Sequence, residues 1–182
     1  MKTSSVFTSI GLFLLIVFFS ACVKDTDFEK ANNIVLAPIM EVDLLYFDLP
    51  AITFFDTVAS SSILTVRDTT ELPFLNDAEL RNNLYRAEFT FKIINSIQRE
   101  FQVDFEFLRG QSHVDSTIQI TVAQGAVSNP VITEYTAVFE DEALLNLTRA
   151  EKVAVSVTID SSNANLDGTI KLQSKTTYYL EL

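Results

Sequence analysis

The chain has 182 residues, of which 24 are acidic and 13 are Lys or Arg, so its formal net charge is −11. This length suits one domain with its own core. The acidic residues are spread along the chain and no basic run exists, which argues against binding to nucleic acid or anionic lipid headgroups, because neutralising phosphates requires clustered Lys and Arg. A single Cys excludes an internal disulfide.

Residues 1–21 are predicted to be a lipoprotein signal peptide. Lys2 supplies the positive start, residues 10–19 form an apolar run, and Ser20 and Ala21 are the small residues that a signal peptidase requires. Cys22 follows directly, and Phe19-Ser20-Ala21-Cys22 resembles a bacterial lipobox, in which the thiol carries a diacylglycerol. An uncleaved transmembrane helix would need ~20 apolar residues, and the apolar run here is about half that length. We therefore expect cleavage before Cys22 and attachment to the membrane through its lipid.

Residues 22–33 are predicted to be a lipidated N-terminus and flexible linker, because this stretch is polar and mostly uncharged or acidic. Lys24-Asp25-Thr26-Asp27 resembles the lysine-plus-acidic export signals of surface lipoproteins in the Bacteroidota. An ordinary polar linker explains the same four residues. The remainder, residues 34–182, is predicted to be a single domain.

The first elements of that domain are predicted from short apolar runs. Weak strand signals cover residues 39–48, 52–58 and 63–68. A short helix is predicted next, with Asn76 as its N-cap and Glu79 three residues later.

A strong pair of strands follows the helix. Tyr85, Ala87, Phe89, Phe91 and Ile93 alternate with polar residues, which places them on one face. The next run repeats the pattern with Phe101, Val103, Phe105 and Phe107. We predict that the two runs pair as a hairpin. Both apolar sets have odd residue numbers, so they share one face only if the loop contains an odd number of residues, such as residues 96–98.

Further strands are predicted as far as the C-terminus. Alternating apolar residues mark residues 118–122, 153–159 and 170–182, and a weaker signal covers residues 131–139. Residues 141–151 have a helical composition but could equally form a loop with its leucines packed beneath it.

About nine short strands with one short helix predict an all-β fold. The expected architecture is an antiparallel β-sandwich of immunoglobulin-like or related Greek-key type. A lipocalin-like barrel is the alternative. Fifteen Phe and no Trp indicate that the aromatic residues serve the core.

Candidate catalytic groups are few. His113 is the only His, and we place it in an exposed turn rather than in an active site, because a general base needs partners that the sequence does not offer. Asp104, Glu106 and Glu88 could crowd together on the outer face of the hairpin, where a carboxylate pair could serve glycoside hydrolysis. Arg86 and Lys92 lie close by in sequence, which favours a solvated charged face. We predict no enzyme activity and no cofactor.

One loop has a partial calcium-binding pattern. Asn163, Asn165 and Asp167 place side-chain oxygens at alternate positions, and Gly168 follows, as in the first half of an EF-hand-like loop. Ser174 stands where that pattern requires a bidentate Glu. A polar loop that closes onto Gly168 explains the same residues.

Three triplets resemble the acceptor of Bacteroidota periplasmic O-glycosylation, Asp followed by Ser or Thr and then an apolar residue or Thr. They place candidate glycans on Thr57, Thr69 and Ser116. Together with the lipobox and the Lys-Asp start, they make the chain similar to small outer-membrane lipoproteins of the Bacteroidota. The resemblance implies an outer-membrane location, on the periplasmic face or the cell surface.

Two classes of function remain open. The first is a non-catalytic accessory lipoprotein that binds an envelope protein through an exposed strand edge or loops. The second is a surface module that binds a glycan or peptide ligand; without Trp, its platform would have to use Tyr46, Tyr135, Tyr178 and Tyr179.

Overall fold

The computed structural model describes residues 37–182. The predicted signal peptide, Cys22 and the linker lie outside the described residues. Residues 37–182 all belong to one compact unit. Within residues 37–182, no helix is long and apolar enough to cross a bilayer.

Eight of the ten strands form two four-stranded antiparallel sheets. Sheet 1 has the strand order β1-β10-β5-β8, and sheet 2 has the order β4-β9-β6-β7. The strands are β1 (Ile39–Pro50), β2 (Phe55–Asp56), β3 (Ser61–Ser62), β4 (Thr65–Glu71), β5 (Leu84–Asn95), β6 (Phe101–Arg109), β7 (His113–Val122), β8 (Val131–Phe139), β9 (Lys152–Ile159) and β10 (Thr169–Leu180).

This strand order is that of a jelly roll, in which eight strands form two Greek keys folded into a sandwich. The predicted all-β Greek-key sandwich is therefore confirmed, with jelly-roll rather than immunoglobulin connections. The strands divide between two separate open sheets in residues 37–182, so the alternative of a lipocalin-like barrel is wrong.

The predicted hairpin between the two aromatic runs is also wrong. β5 pairs with β10 and β8, whereas β6 pairs with β7 and β9, so the two strands belong to different sheets. Their apolar faces meet across the core, with ring centroids 4.2 Å apart for Phe91 and Phe105 and 5.0 Å apart for Phe89 and Phe107. A period of two shows which face of a strand is apolar, but it does not show whether its partner lies beside it or opposite it.

The predicted inward faces are confirmed for almost every strand. Phe89, Phe91, Phe105 and Phe107 are completely buried. Tyr85 is an exception in the first aromatic run, with 49% of its surface exposed. The pairing of β5 with β10 shifts by one residue at this end, so that Leu84 takes the inward position.

Residues 96–100 carry the chain from sheet 1 to sheet 2. Buried Asn95 supports this crossing: its Nδ2 donates to the carbonyl oxygens of Arg99 (2.8 Å) and Ala123 (2.9 Å), and its Oδ1 accepts from the backbone N–H of Ile97 (2.8 Å). The Ile97 side chain is buried. The crossing thus satisfies its backbone groups while an apolar side chain covers the end of the core.

Gly168 fits closely against this crossing. Its φ is +100°, and a Cβ there would lie 2.5 Å from the carbonyl oxygen of Ser96. Ser96 and Thr169 bind each other through their backbone groups and the Ser96 hydroxyl. Only glycine meets both requirements at position 168 without strain.

Residues 37–182 contain two short α-helices, where one was predicted. α1 (Ala78–Asn83) is capped by Asp77, whose carboxylate accepts from the backbone N–H groups of Glu79 and Leu80. The predicted cap, Asn76, is one residue too early. The second helix is α2 (Asp141–Leu147), which buries Leu144 and Leu147. For this segment the sequence was compatible with either a helix or a loop.

The strand predicted over residues 52–58 is mostly replaced by a 3-10 helix, Ala51–Phe54, before the two-residue strand β2. Phe54 is buried and its ring lies 5.2 Å from that of Phe101. Val58, which the alternating pattern would place inside, is 96% exposed. One deeply buried Phe in a tight turn produces the same short apolar signal as a strand.

Candidate functional site

His113 is the first residue of β7, so the predicted position in a turn is wrong. Its Nε2 lies 3.4 Å from Oδ1 of Asp115, and a guanidinium nitrogen of Arg109 lies 3.2 Å from the same oxygen. The His113 side chain is largely exposed, as predicted, whereas that of Asp115 is buried. These contacts join the end of β6 to the start of β7 in sheet 2.

The three carboxylates that could have served hydrolysis do not form one cluster. Asp104 and Glu106 lie on the outer face of sheet 2, whereas Glu88 lies on the outer face of sheet 1. Glu106 accepts a hydrogen bond of 2.6 Å from Arg67, and Glu88 accepts from Arg86. Glu88 contributes most to raising the pKa of Arg86. The predicted charged face with Arg86 is therefore present on sheet 1.

The side chains of the candidate calcium loop bind their own backbone. Oδ1 of Asn163 accepts from the N–H of Asn165 (2.9 Å), and Oδ1 of Asp167 accepts from the N–H of Gly168 (2.7 Å). Such local bonds are those of a polar loop. Within residues 37–182, no three His, Cys, Asp or Glu side chains are grouped closely enough to hold a metal ion.

The three candidate glycosylation sites differ in setting. Thr57 is exposed in the turn between β2 and β3, where Asp56 accepts hydrogen bonds from the N–H groups of Val58 and Ala59. These bonds lower the pKa of Asp56. Thr69 is exposed within the edge strand β4, and Ser116 is half-buried within β7. Of the three, only Thr57 is both exposed and outside a strand.

The four tyrosines considered as a sugar platform are divided by the fold. Tyr178 points into the core and stacks on Phe74, with ring centroids 4.0 Å apart, and burial raises its pKa to about 12. Tyr179 lies on the outer face of sheet 1 beneath the guanidinium of Arg86, 5.5 Å from its ring centroid. Tyr46 and Tyr135 are 68% and 43% exposed, on opposite edges of sheet 1. The predicted role of Tyr178 on an exposed platform is wrong.

An apolar groove opens where the edge strands β1 and β4 of the two sheets face each other. We call it the β1–β4 groove. It has a volume of about 280 Å³. Val155 and Val157 form its buried floor, and its walls contain the half-buried side chains of Leu45, Phe47, Leu49 and Val66.

A bulge in β1 shapes this groove. The pairing of β1 with β10 shifts between Asp43 and Tyr46. The Ser174 hydroxyl accepts from the backbone N–H of Leu45 and donates to its carbonyl oxygen, both at 3.0 Å. These bonds hold the bulge of β1 against β10, and a bulge interrupts the regular ladder that a further strand would need. We therefore expect an occupant of the groove to bind mainly through side chains.

Charges at the rim of the groove are mostly negative. Asp68 and Arg67 lie along its wall. Asp43 and Glu71 line a smaller cleft that continues between the same two strands. Arg67 is paired with Glu106 and Glu71 with Lys152. Asp68 and Asp43 are the remaining charged groups beside the groove, and they favour a positively charged occupant.

The groove was not predicted as a site, although a signal for the bulge is present. Met40, Val42 and Leu44 of β1 occupy even positions, whereas Leu45, Phe47 and Leu49 occupy odd positions. Such a change of phase indicates an inserted residue in a strand.

No protein-family model matches this sequence, and the search of curated proteins finds no match. The solved structures similar to this chain include infectious bursal disease virus, Gx strain (TM-score 0.45, 8% identity), covering 80% of this chain and 32% of that chain. The VP2 subviral particle of the same virus has a TM-score of 0.47 and 5% identity, covering 79% and 32%. Turnip yellow mosaic virus has a TM-score of 0.29 and 12% identity, covering 82% of each chain. This chain thus spans about a third of the length of the first two.

Proposed function

We propose that this protein is a lipid-anchored module of the outer membrane that binds an envelope protein and catalyses no reaction. The β1–β4 groove is the observation that carries the binding part of the proposal. It presents half-buried apolar side chains at an open edge of a rigid sandwich, and such a surface is stabilised when a partner covers it.

The groove chemistry defines the kind of segment that would fit. Its walls favour apolar side chains, and its acidic rim favours Lys or Arg beside them. The partner is therefore an envelope protein with an exposed apolar segment flanked by basic residues. Tethering in the same membrane raises the local concentration of both proteins, so a weak contact suffices.

Lipidation is tested on Cys22. We expect mass spectrometry of the membrane fraction to find a mature protein that begins at an acylated Cys22, because only a lipoprotein signal combines this apolar run with a Cys after Ser-Ala. Cys22→Ala should prevent normal maturation. A mature protein that starts elsewhere, or a Cys22→Ala variant that matures and stays on the membrane as before, would contradict the anchor.

Partner binding is tested by gentle detergent extraction of the full-length protein. We expect Val66→Lys to reduce the amount of copurifying envelope protein several-fold, since it places a positive charge in the apolar groove wall, where it repels the basic residues of the partner segment. Thr65→Lys is the matched control on the outer face of the same strand and should leave recovery unchanged. Equal recovery with both variants would exclude the groove, and recovery of no envelope protein with the parent chain would contradict the proposed function.

Ligand binding is the second candidate, and the position of Tyr46 favours it. Its exposed ring lies beside a cleft of about 510 Å³ on sheet 1, lined also by Asp43 and Gln173. An aromatic face next to amide and carboxylate groups suits a glycan. Saturable binding of an envelope glycan that Tyr46→Ala abolishes, without a protein partner, would favour this function over the first.

Thr57 is the site at which we expect O-glycosylation in the native host. It is exposed in a turn, whereas Ser116 is half-buried in a strand, and attaching a glycan requires access to the backbone around the hydroxyl. Glycopeptide mass spectrometry should find the modification on Thr57, and Thr57→Ala should remove its mass while Ser116→Ala leaves it. An intact mass equal to polypeptide plus lipid alone would refute this prediction.

A further inference from the structure

The edge strand β8 differs from the other three sheet edges. It pairs with β5 from Val131 to Phe139 without any register shift, and Glu134 is its only charged residue. By contrast, β1 has a bulge and three acidic residues, β4 has three charged residues among seven, and β7 has a register shift opposite Phe107 and Leu108. Bulges and charges are the usual protection of an edge against pairing with another chain.

β8 also exposes apolar side chains on both of its faces. Ile132 is 56% exposed and Val138 is 47% exposed on the outer face, and Tyr135 is 43% exposed on the inner face. Regular geometry, low charge and exposed apolar residues are the properties of a strand that receives a further strand.

We propose that β8 pairs antiparallel with β8 of a second copy of this chain, about a two-fold axis at Tyr135, so that the two copies share one eight-stranded sheet. The sequence of the strand, VITEYTAVF, is self-complementary about this residue. Ile132 would face Val138 of the second copy, and Val131 would face Phe139. A symmetric dimer requires such a surface, because the same patch serves both subunits.

Charge selects this register over its neighbours. With the axis at Tyr135, Glu134 faces Thr136 of the second copy and lies beside Lys92 of its own sheet. An axis at Glu134 would place two carboxylates directly opposite each other, which is destabilising. An axis at Thr136 would place Glu134 against Val138 and Ile132 against Glu140.

A shift of the axis by half a residue is excluded for a different reason. It would pair residues of opposite faces, so that the outer face of one copy would continue into the inner face of the other. Only the axis at Tyr135 keeps the faces in phase, pairs apolar residues with each other and separates the carboxylates.

The dimer does not depend on the β1–β4 groove, which lies at the opposite edge of sheet 1. If the dimer does not form, the proposed binding of a partner in the groove is unaffected. If the groove binds no partner, the proposed dimer is unaffected.

The test is crosslinking of the full-length protein in detergent, with a short bifunctional maleimide. Paired residues have Cβ atoms ~4.5–5.5 Å apart, so Tyr135→Cys should form a covalent dimer well above the baseline of the parent chain, which contains only Cys22. Tyr46→Cys is the matched control, because Tyr46 is 68% exposed on the bulged edge β1, and it should stay at that baseline.

A mixing experiment tests the register. Ile132→Cys and Val138→Cys chains should crosslink when mixed and stay near baseline when kept apart, because two copies of residue 132 would lie ~20 Å apart along the strand. Val138→Lys should abolish concentration-dependent dimerisation in sedimentation velocity. Crosslinking of Tyr135→Cys no greater than that of Tyr46→Cys, or only to a different protein in host membranes, would overturn the proposal.

Discussion

Phe105→Ala is expected to lower the free energy of unfolding by roughly 3–5 kcal/mol, the usual cost of removing a buried Phe ring. Phe105 is completely buried on β6, and its ring lies 4.2 Å from that of Phe91 on the facing sheet. The substitution would leave a cavity between the two sheets, where neither backbone can move inward to fill it. Urea unfolding followed by circular dichroism measures the change.

Glu106→Ala is the matched control for this experiment. Glu106 is the next residue on the same strand but faces solvent, and its ion pair with Arg67 is partly exposed. Exposed pairs contribute about 0–1 kcal/mol, so the unfolding midpoint should barely move. Equal losses from the two variants would mean that the faces of β6 are assigned wrongly.

Asn95→Ala is expected to have the second large effect, a loss of about 3 kcal/mol. Asn95 is completely buried and makes two hydrogen bonds to backbone groups of the crossing between the sheets and a third to the carbonyl oxygen of Ala123. The substitution would leave a buried N–H and two partly buried carbonyl oxygens without their partner, and an unsatisfied buried group costs ~1–3 kcal/mol. The midpoint of thermal or urea unfolding measures the effect.

Asn83→Ala tests whether burial is the cause. The Asn83 side chain also donates to a backbone carbonyl, that of Glu79, but in an exposed position at the end of α1. Water can replace this bond, so the loss should stay within a few tenths of a kcal/mol, the usual range for an exposed surface site. A comparable loss from both variants would refute a special role for Asn95.

Strand pairing illustrates where prediction from the sequence stops. The alternation in residues 85–93 and 101–107 correctly identifies most inward side chains, because a strand buries every second residue whatever its neighbour. It does not distinguish two strands side by side from two strands face to face. That choice depends on residues 96–100, where buried Asn95 and Ile97 support a crossing between the sheets.

The candidate sites show the same division. Asp104 and Glu88 were considered together because their strands were expected to pair, and the jelly roll places them on opposite outer faces. The β1–β4 groove lies between edge strands of two different sheets, so no strand pairing relates its two walls. The change of phase at Leu44 and Leu45 predicts a bulge, but not what the bulge faces.

By itself, the sequence determined the all-β class and the buried faces of its main strands, because these depend on local alternation and turn residues. It favoured a Greek-key sandwich and left a lipocalin-like barrel as the alternative. The lipid anchor at Cys22 is likewise a prediction from a short linear motif. Only the tertiary structure decided the jelly-roll strand order, the β1–β4 groove and the unprotected edge β8. These features arise from contacts between segments distant in the chain, and their free energies depend on which backbone groups and apolar faces the rest of the fold leaves uncovered.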